Sequence, residues 1–176
     1  MKIVNIIGAR PNFMKIAPLM AAYGAYPAIE PLLVHTGQHY DERMSDLFFR
    51  QLGIPQPDVN LGIGSGSHAV QTAEVMKAFE PVVLAHKPDA VFLASDTMAL
   101  SAIQAIQEHG LRVSEDIAVV CFDDIPQACR SITALTTVRQ PITRSGAVAA
   151  ETLIGMIETG STLPRQMVFA GRTHYP

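Results

Sequence analysis

Four short segments of this chain are almost entirely apolar, and they constrain the fold more than any other feature of the sequence. They are rich in β-branched residues and cover Lys2–Gly8, Pro31–Thr36, Ala90–Ser95 and Ile117–Phe122. Their apolar residues follow one another without alternating polar positions, so both faces of each strand are expected to be covered. Such strands are typical of parallel sheets.

Segments with helical spacing separate these strands. Helices are predicted over Asn12–Tyr23, Asp41–Leu52 and Thr97–His109. A longer helix is predicted over Ser67–Lys87. We expect a kink or break in it near Glu80, because Pro81 has no N–H to donate and its ring clashes with the preceding turn.

Weaker patterns complete the alternation of strands and helices. They are a short edge strand at Asp58–Leu61, a strand at Leu135–Arg139, a helix at Thr143–Glu158 that stops at Gly160, and a final strand at Gln166–Thr173. Alternating β and α segments at this spacing predict right-handed βαβ units in one doubly wound α/β sheet. We expect the strand order 3-2-1-4-5, with one or both of the later strands added, and helices on both faces.

Composition narrows the class of protein. The chain has 176 residues, enough for one sizeable core and few for two. Hydrophobic residues make up 48%, charged residues 16%, and the net charge is −3, which offers no basic field for nucleic acid. The apolar runs are far shorter than a membrane helix, and no signal-peptide layout opens the chain. We therefore expect a cytoplasmic protein with neither a membrane nor a nucleic-acid partner.

The cysteines and histidines do not form a recognisable site. Cys121 lies in an apolar run and Cys129 in a loop-like segment, so we expect one buried thiol and one loop thiol without a disulfide. His35, His68, His86, His109 and His174 show no metal-ligand spacing. We predict no metal and no cofactor.

Two sets of motifs resemble two different families. The first set is Gly8–Lys15 (GARPNFMK), Thr36–Asp41 (TGQHYD), Met44–Ser45, Asn60–Gly62 and Gly64–Ser67. With these motifs, residues 1 to about 90 resemble the N-terminal part of bacterial non-hydrolysing UDP-N-acetylglucosamine 2-epimerases. That resemblance implies a Rossmann-like fold and a cleft for a UDP-sugar between two domains.

The second set of motifs covers the rest of the chain. It is Ala94–Leu100 (ASDTMAL), Gly110–Val113, Glu115–Val120, Phe122–Pro126 (FDDIP) and Leu135–Pro141 (LTTVRQP). From about Asp89 to Tyr175 the chain resembles the C-terminal stretch of lac-repressor-family regulators. That resemblance implies part of a periplasmic-binding-protein-like effector domain.

The two resemblances meet inside one predicted sheet. We interpret the chain as a chimera, a single Rossmann-like or flavodoxin-like three-layer αβα domain built from an epimerase-like segment 1–90 and a regulator-like segment 91–176. Natural fusion usually joins whole domains through a linker, so deliberate recombination is favoured over a natural hybrid. A natural fragment that has been misinterpreted is the alternative.

A candidate anion site lies where the first strand meets the first helix. Free N–H groups at a helix start, with cations nearby, attract phosphate-like groups. The candidate loop consists of Gly8, Ala9, Arg10, Asn12 and Phe13. The epimerase resemblance places Arg10 and Lys15 in the UDP-sugar cleft. A solvated loop before an ordinary helix is the alternative.

His39 and Asp96 are ambiguous candidates. The epimerase resemblance places His39 near the cleft, but a lone histidine is more often a polar loop residue. Asp96 matches a cleft aspartate in the epimerases and a residue beside the ligand in the regulators. As an alternative, which we favour, it caps the helix Thr97–His109 by accepting a backbone N–H. The site role would then be a vestige.

Asp123 and Asp124 follow a strand at the same edge. Adjacent residues at a strand end point to opposite sides, so the two carboxylates are poorly placed as an acid–base pair. In the regulators the position of Asp123 contacts effector. Without the opposing lobe, we expect both residues to be exposed in a turn.

Three hypotheses about function follow. The first is a fold chimera with no catalytic residues, since the epimerase's second domain and catalytic glutamates have no counterpart here. The second is a weak binding module for an anion, a UDP-sugar or a small sugar at the sheet edge. The third is residual epimerase activity. A homo-oligomer is left open.

Overall fold

The computed structural model describes the chain except residues 9, 38–41, 65, 127–134, 161–171 and 175–176. The strands are β1 (Lys2–Ile7), β2 (Glu30–His35), β3 (Val59–Asn60), β4 (Ala90–Leu93), β5 (Ala118–Asp123), β6 (Thr136–Arg139) and β7 (Arg172–His174). The helices are α1 (Arg10–Tyr23), α2 (Glu42–Leu52), α3 (His68–His86), α4 (Asp96–Glu108) and α5 (Ile142–Thr159). All the predicted elements are present, although most of the predicted strand Gln166–Thr173 lies outside the described residues.

The strands form one sheet in the order β3-β2-β1-β4-β5-β6-β7. Strands β1 to β6 are parallel, which confirms the predicted sheet and the order 3-2-1-4-5. Strand β7 runs antiparallel to β6 at the edge. The fold is a Rossmann-like, flavodoxin-like α/β arrangement.

The two faces of the sheet carry separate apolar cores, because successive side chains of a strand point to opposite faces. In β1, Val4 and Ile6 join one core, and Ile7 joins the other. The first core is covered by α4 and by Phe79 and Val82 of α3. The second is covered by α1 and α2, so the sheet is the middle of three layers.

The join between the two family-like segments lies within both cores. Strand β1 pairs along its length with β2 on one side and with β4 on the other, where Ile3 lies opposite Ala90 and Ile6 opposite Leu93. Residues from before and after position 90 are mixed in each core. Neither segment therefore has a core of its own.

The predicted break in α3 does not occur. The helix is continuous from His68 to His86 with Pro81 inside it. A proline forfeits one helical hydrogen bond, at a cost of about 3 kcal/mol. Phe79 and Val82, on either side of Pro81, pack against the first core, and we attribute the persistence of the helix to that burial.

Candidate functional site

The polar side chains of interest lie at the carboxyl edge of the sheet. Strands β4, β5 and β6 are parallel and therefore end at the same edge, where α1 and α4 begin. In doubly wound sheets this edge is the binding crevice. The described polar residues that meet there are Lys15, Asp96, Asp123, Asp124, Thr137, Arg139 and Gln140.

Asp96 is a buried acceptor and not the helix cap, so that prediction is wrong. Ser95 caps α4, and its Oγ accepts the N–H of Met98 at 3.4 Å. Ser95 has the extended backbone of an N-cap, whereas Asp96 is already helical, and its side chain leaves the helix. Asp96 is fully buried.

Both carboxylate oxygens of Asp96 are occupied. Oδ1 accepts the hydroxyl of Thr137 at 2.6 Å, and Oδ2 accepts the backbone N–H of Ile125 at 2.7 Å. The Thr137 hydroxyl oxygen accepts in turn the N–H of Asp124 at 3.3 Å. This network ties α4 to β6 and to the loop after β5, which is a structural role.

Lys15 joins the two segments of the chain. Its Nζ donates to the carbonyl oxygen of Ala94 at 2.8 Å and to Oδ1 of Asp123 at 2.7 Å. The ammonium group also lies 5.1 Å from the ring centroid of Phe122, within range of a cation–π interaction. The Lys15 side chain is only 14% exposed.

Asp123 and Asp124 are not the exposed turn residues that we expected. Asp123 pairs with Lys15 of α1, whereas Asp124 pairs with Arg139 of β6, and the Asp124 side chain is 3% exposed. Each carboxylate is held against the protein by its cation. The local sequence of the turn does not reveal these cations, because they lie on other elements. Because the two carboxylates bind different cations, they do not form an acid–base pair.

The backbone of these two aspartates has an uncommon conformation. Asp123 has a φ of 116° and Asp124 a φ of 59°, both in the left-handed region that non-glycine residues seldom adopt. Aspartate tolerates that region better than most side chains. In this conformation the two carboxylates meet different partners, Lys15 and Arg139.

Thr137, Arg139 and Gln140 were missed as site residues by sequence reasoning. Gln140 Nε2 donates to Asp123 Oδ1 at 3.4 Å. All three belong to the LTTVRQP motif, which served only to establish the family resemblance. The available signal was the alternation along β6, since Thr137 and Arg139 share one side of that strand.

Cys121 is a buried thiol, as predicted. Its Sγ donates to the carbonyl oxygen of Thr136 at 3.5 Å. Burial and, to a smaller extent, the contact with Asp96 raise the pKa of the Cys121 thiol to about 12. Such a thiol is protonated at neutral pH and chemically inert. Cys129 lies outside the described residues.

The predicted anion loop is described only in part. Helix α1 begins at Arg10, but Ala9 and the Arg10 side chain lie outside the description, as does His39. Phe13 is buried in the second core, where its ring stacks on His35 with centroids 5.8 Å apart, so Phe13 contributes packing. Asn12 is half-buried. The anion site stays a prediction.

The turn after β2 requires glycine. Gly37 has a φ of +79°, and a Cβ there would lie 2.9 Å from the backbone of Gly62. Its N–H donates to Nδ1 of His35 at 3.1 Å. This close approach fixes the backbone of the turn immediately after β2.

Two features are absent from the described part of the chain. No cluster of three or more His, Cys, Asp or Glu side chains is placed there to hold a metal ion. Within the same residues, none of the helices has the length and apolar character needed to cross a bilayer.

The sheet order defines a doubly wound α/β protein with a cluster of polar side chains at the carboxyl edge of the sheet. The family model of the periplasmic binding protein-like domain matches residues 33–174. The chain belongs to that family.

Relatives of two kinds match the chain. A UDP-N-acetylglucosamine 2-epimerase homolog of Methanococcus maripaludis is 50% identical over 97 residues, which are 55% of this chain and 27% of the relative. The HTH-type transcriptional repressor MelR of Bacillus subtilis is 36% identical over 119 residues, which are 68% of this chain and 33% of the repressor. The chain thus spans between about a quarter and a third of these relatives.

A solved structure supports the first resemblance. The UDP-GlcNAc 2-epimerase of Methanocaldococcus jannaschii, in complex with UDP-GlcNAc and UDP, superposes with a TM-score of 0.57 at 35% identity. The superposition covers 68% of this chain and 32% of the epimerase. The N-terminal part matches the epimerases, and the regulator-type family matches the other part, so the chain has a chimeric composition. The two aligned lengths together exceed 176 residues, so the matches overlap.

Proposed function

We propose that the chain is a recombined α/β fold without catalytic activity, in which residues inherited from two binding sites have become structural. The observation that carries this proposal is the ion pair between Lys15 and Asp123. The epimerase resemblance assigns Lys15 to a UDP-sugar cleft, and the regulator resemblance assigns Asp123 to effector contact. Here the two neutralise each other at 2.7 Å.

Because Lys15 is already paired with Asp123, its charge is not available to bind a phosphate. A nucleotide sugar would have to displace both Asp123 and the Ala94 carbonyl from the Lys15 ammonium group. Breaking a largely buried ion pair by taking away one partner costs several kcal/mol, since the remaining charge is left uncompensated. Binding energy used for that displacement is no longer available to orient the substrate.

The hydrogen bonds of Asp96 make its carboxylate unavailable as a catalytic acid or base. Both of its oxygens accept hydrogen bonds inside the fold, and the residue is fully buried. A general base must reach the proton that it abstracts, directly or through one water. Epimerisation, as the resemblance implies, also needs a cleft closed by a second domain, whereas the strands of the described residues belong to one sheet.

Deuterium incorporation at carbon 2 of UDP-N-acetylglucosamine in heavy water tests the proposal. We expect no exchange above a control without protein. Exchange above that control, lost in a Lys15→Gln variant that retains the wild-type circular dichroism spectrum, would show that the chain is an enzyme. An intact UDP-N-acetylglucosamine 2-epimerase serves as the positive control.

A second candidate function is weak binding of a UDP-sugar at the sheet edge. The specific observation in its favour is the 35% identity to an epimerase solved with UDP-GlcNAc and UDP. Titration calorimetry with UDP-N-acetylglucosamine and with UDP measures it directly. Heat that saturates with UDP, and that is weakened at least tenfold in Lys15→Gln, supports a retained site. Equal heat from both proteins, or none, contradicts it.

A further inference from the structure

Helix α5 carries an apolar stripe that nothing in the described chain covers. None of the residues of α5 is buried, although it follows β6 directly. Leu153 is 60% exposed and Ile157 is 73% exposed, and Ile154 is also more than half exposed. A Cβ added at Gly146 would meet no atom within 4 Å, so this position is also open.

Most of the exposed apolar positions share one side of α5, because at 3.6 residues per turn they fall within about 140° of arc. We call this side the α5 stripe. It consists of Ile142, Gly146, Ala149, Ala150, Leu153, Ile154 and Ile157.

The charges of α5 are kept away from the stripe. Arg144, Glu151 and Glu158 are spaced seven residues apart and therefore lie along one line of the helix. That line is about 130° round the helix from the centre of the stripe. A helix on the surface of a globular protein normally presents charged residues to water. An exposed stripe without charges is therefore typical of an interaction surface.

The side-chain sizes along the stripe are complementary to themselves in one orientation only. After Ile142 at the start of the helix, the stripe is small at Gly146, Ala149 and Ala150 and bulky at Leu153, Ile154 and Ile157. When a second copy of α5 lies antiparallel, Gly146 faces Ile157 of that copy, and Ala150 faces its Leu153. Each bulky side chain then enters a shallow position, as ridges pack into grooves. A parallel pair would instead oppose Ile157 to Ile157 and leave Gly146 opposite Gly146.

We propose that the α5 stripe is a self-association surface, on which a second copy of this chain binds antiparallel about a two-fold axis. An isologous contact of this kind closes on itself and forms a dimer rather than a fibre. The helix has 18 residues and is about 27 Å long, so the stripe offers roughly 300 Å² per copy. Stable dimers bury about 800 Å² per partner, and the α5 dimer is therefore weak and reversible.

Sedimentation velocity of the full chain tests the association. We expect monomer at about 10 μM and a growing dimer fraction towards about 500 μM, as suits a small interface. Leu153→Lys places a charge in the stripe and should weaken dimerisation at least tenfold. Glu151→Gln makes the same change in net charge on the charged side and should not weaken it. Ile157→Lys, at the most exposed of these positions, repeats the test in case Leu153→Lys perturbs the fold.

Disulfide cross-linking tests the orientation. In a background in which Cys121 and Cys129 are replaced by serine, Gly146→Cys and Ile157→Cys variants are mixed and oxidised. We expect the mixed cross-link to exceed either homodimer, because only the antiparallel pair brings positions 146 and 157 together. A chain that stays monomeric up to 500 μM, a dimer unaffected by Leu153→Lys, or a predominance of the 146–146 cross-link would overturn the proposal.

Discussion

Asp96 shows how tertiary contacts override a local preference. Aspartate at the start of a helix is a good N-cap, but Ser95, one position earlier, is an equally good one. The choice between them depends on Thr137 and the Ile125 N–H, which lie 41 and 29 residues away in sequence. A serine in the cap left the Asp96 carboxylate free to hold the loop after β5.

Replacing Asp96 by Asn should destabilise the fold by about 1 to 3 kcal/mol, because an amide offers one acceptor where two are used. Urea unfolding followed by circular dichroism measures the change. The matched control is Asp89→Asn, which alters an exposed carboxylate that accepts one backbone N–H, from Lys2. A loss no larger than that of the control would contradict the structural role of Asp96.

Tyr23 provides a test that depends on pH. Its hydroxyl donates to Oδ1 of the buried Asn5 at 3.0 Å, and burial raises the pKa of Tyr23 from 10.0 to about 12. In the unfolded chain the tyrosine ionises near pH 10, whereas in the folded chain it stays protonated until about pH 12. Its contribution to stability is therefore complete below pH 10 and is lost as the pH rises to 12.

We expect Tyr23→Phe to be less stable than wild type at pH 8, since Asn5 loses a partner, and we expect the difference to shrink between pH 10 and 12. Urea titrations across that range measure it. Tyr26→Phe, which removes an exposed tyrosine, is the matched control. A difference that stays constant or grows with pH would contradict the assignment.

At the scale of elements, α3 shows that packing compensates for a local defect. Pro81 cannot donate to the preceding turn, yet the helix continues for five residues beyond it. The helix is held against the first core by Phe79 before the proline and by Val82 after it. The sequence located the defect correctly but contained no measure of the burial around it.

Pro81→Ala should stabilise the chain by about 1 to 3 kcal/mol, because it restores an N–H and relieves a ring clash, less the entropy that the unfolded chain regains. The Pro81 side chain is exposed, so the change leaves no cavity. Thermal and urea unfolding measure the gain. Pro55→Ala, at an exposed loop position outside the helices, should give none. Destabilisation by Pro81→Ala would show that the helix depends on the proline.

At the scale of the whole molecule, the join between the two family-like segments is the most constrained part of the fold. Val91 and Leu93 of strand β4 belong to the first core. Phe92 of the same strand, and Ala94 directly after it, belong to the second. The Lys15–Asp123 pair adds a polar contact across the join. The segments are therefore expected to unfold together.

A fragment of residues 1–88 should not fold by itself, since β1 loses its partner β4 and both cores lose their residues beyond position 90. Urea unfolding of the fragment is expected to show no cooperative transition, whereas the intact chain shows one. Mixing with a fragment of residues 89–176 should restore the transition. A cooperative transition in the first fragment alone would show that the epimerase-like segment is an independent unit.

The candidate site was less predictable than the sheet. The positions of Lys15, Asp96 and Asp123 at one edge followed from strand polarity, since parallel strands end together. Their partners did not follow, because hydrogen bonds across 108 residues, as between Lys15 and Asp123, leave no local pattern. The resemblances assigned Lys15 and Asp123 to two different ligand sites, and only the joined fold brings them into contact.

The sequence by itself determined the parallel sheet, its strand order and the joining of two family-like segments. Those properties depend on local hydrophobic runs and motifs that survive transfer between chains. The tertiary structure decided which oxygen of Asp96 meets which donor, that Asp124 is buried, that Pro81 is accommodated, and that none of the described residues covers one side of α5. Each of these depends on what lies opposite in space, and apolar burial and ion pairing act between surfaces that the order of residues does not specify.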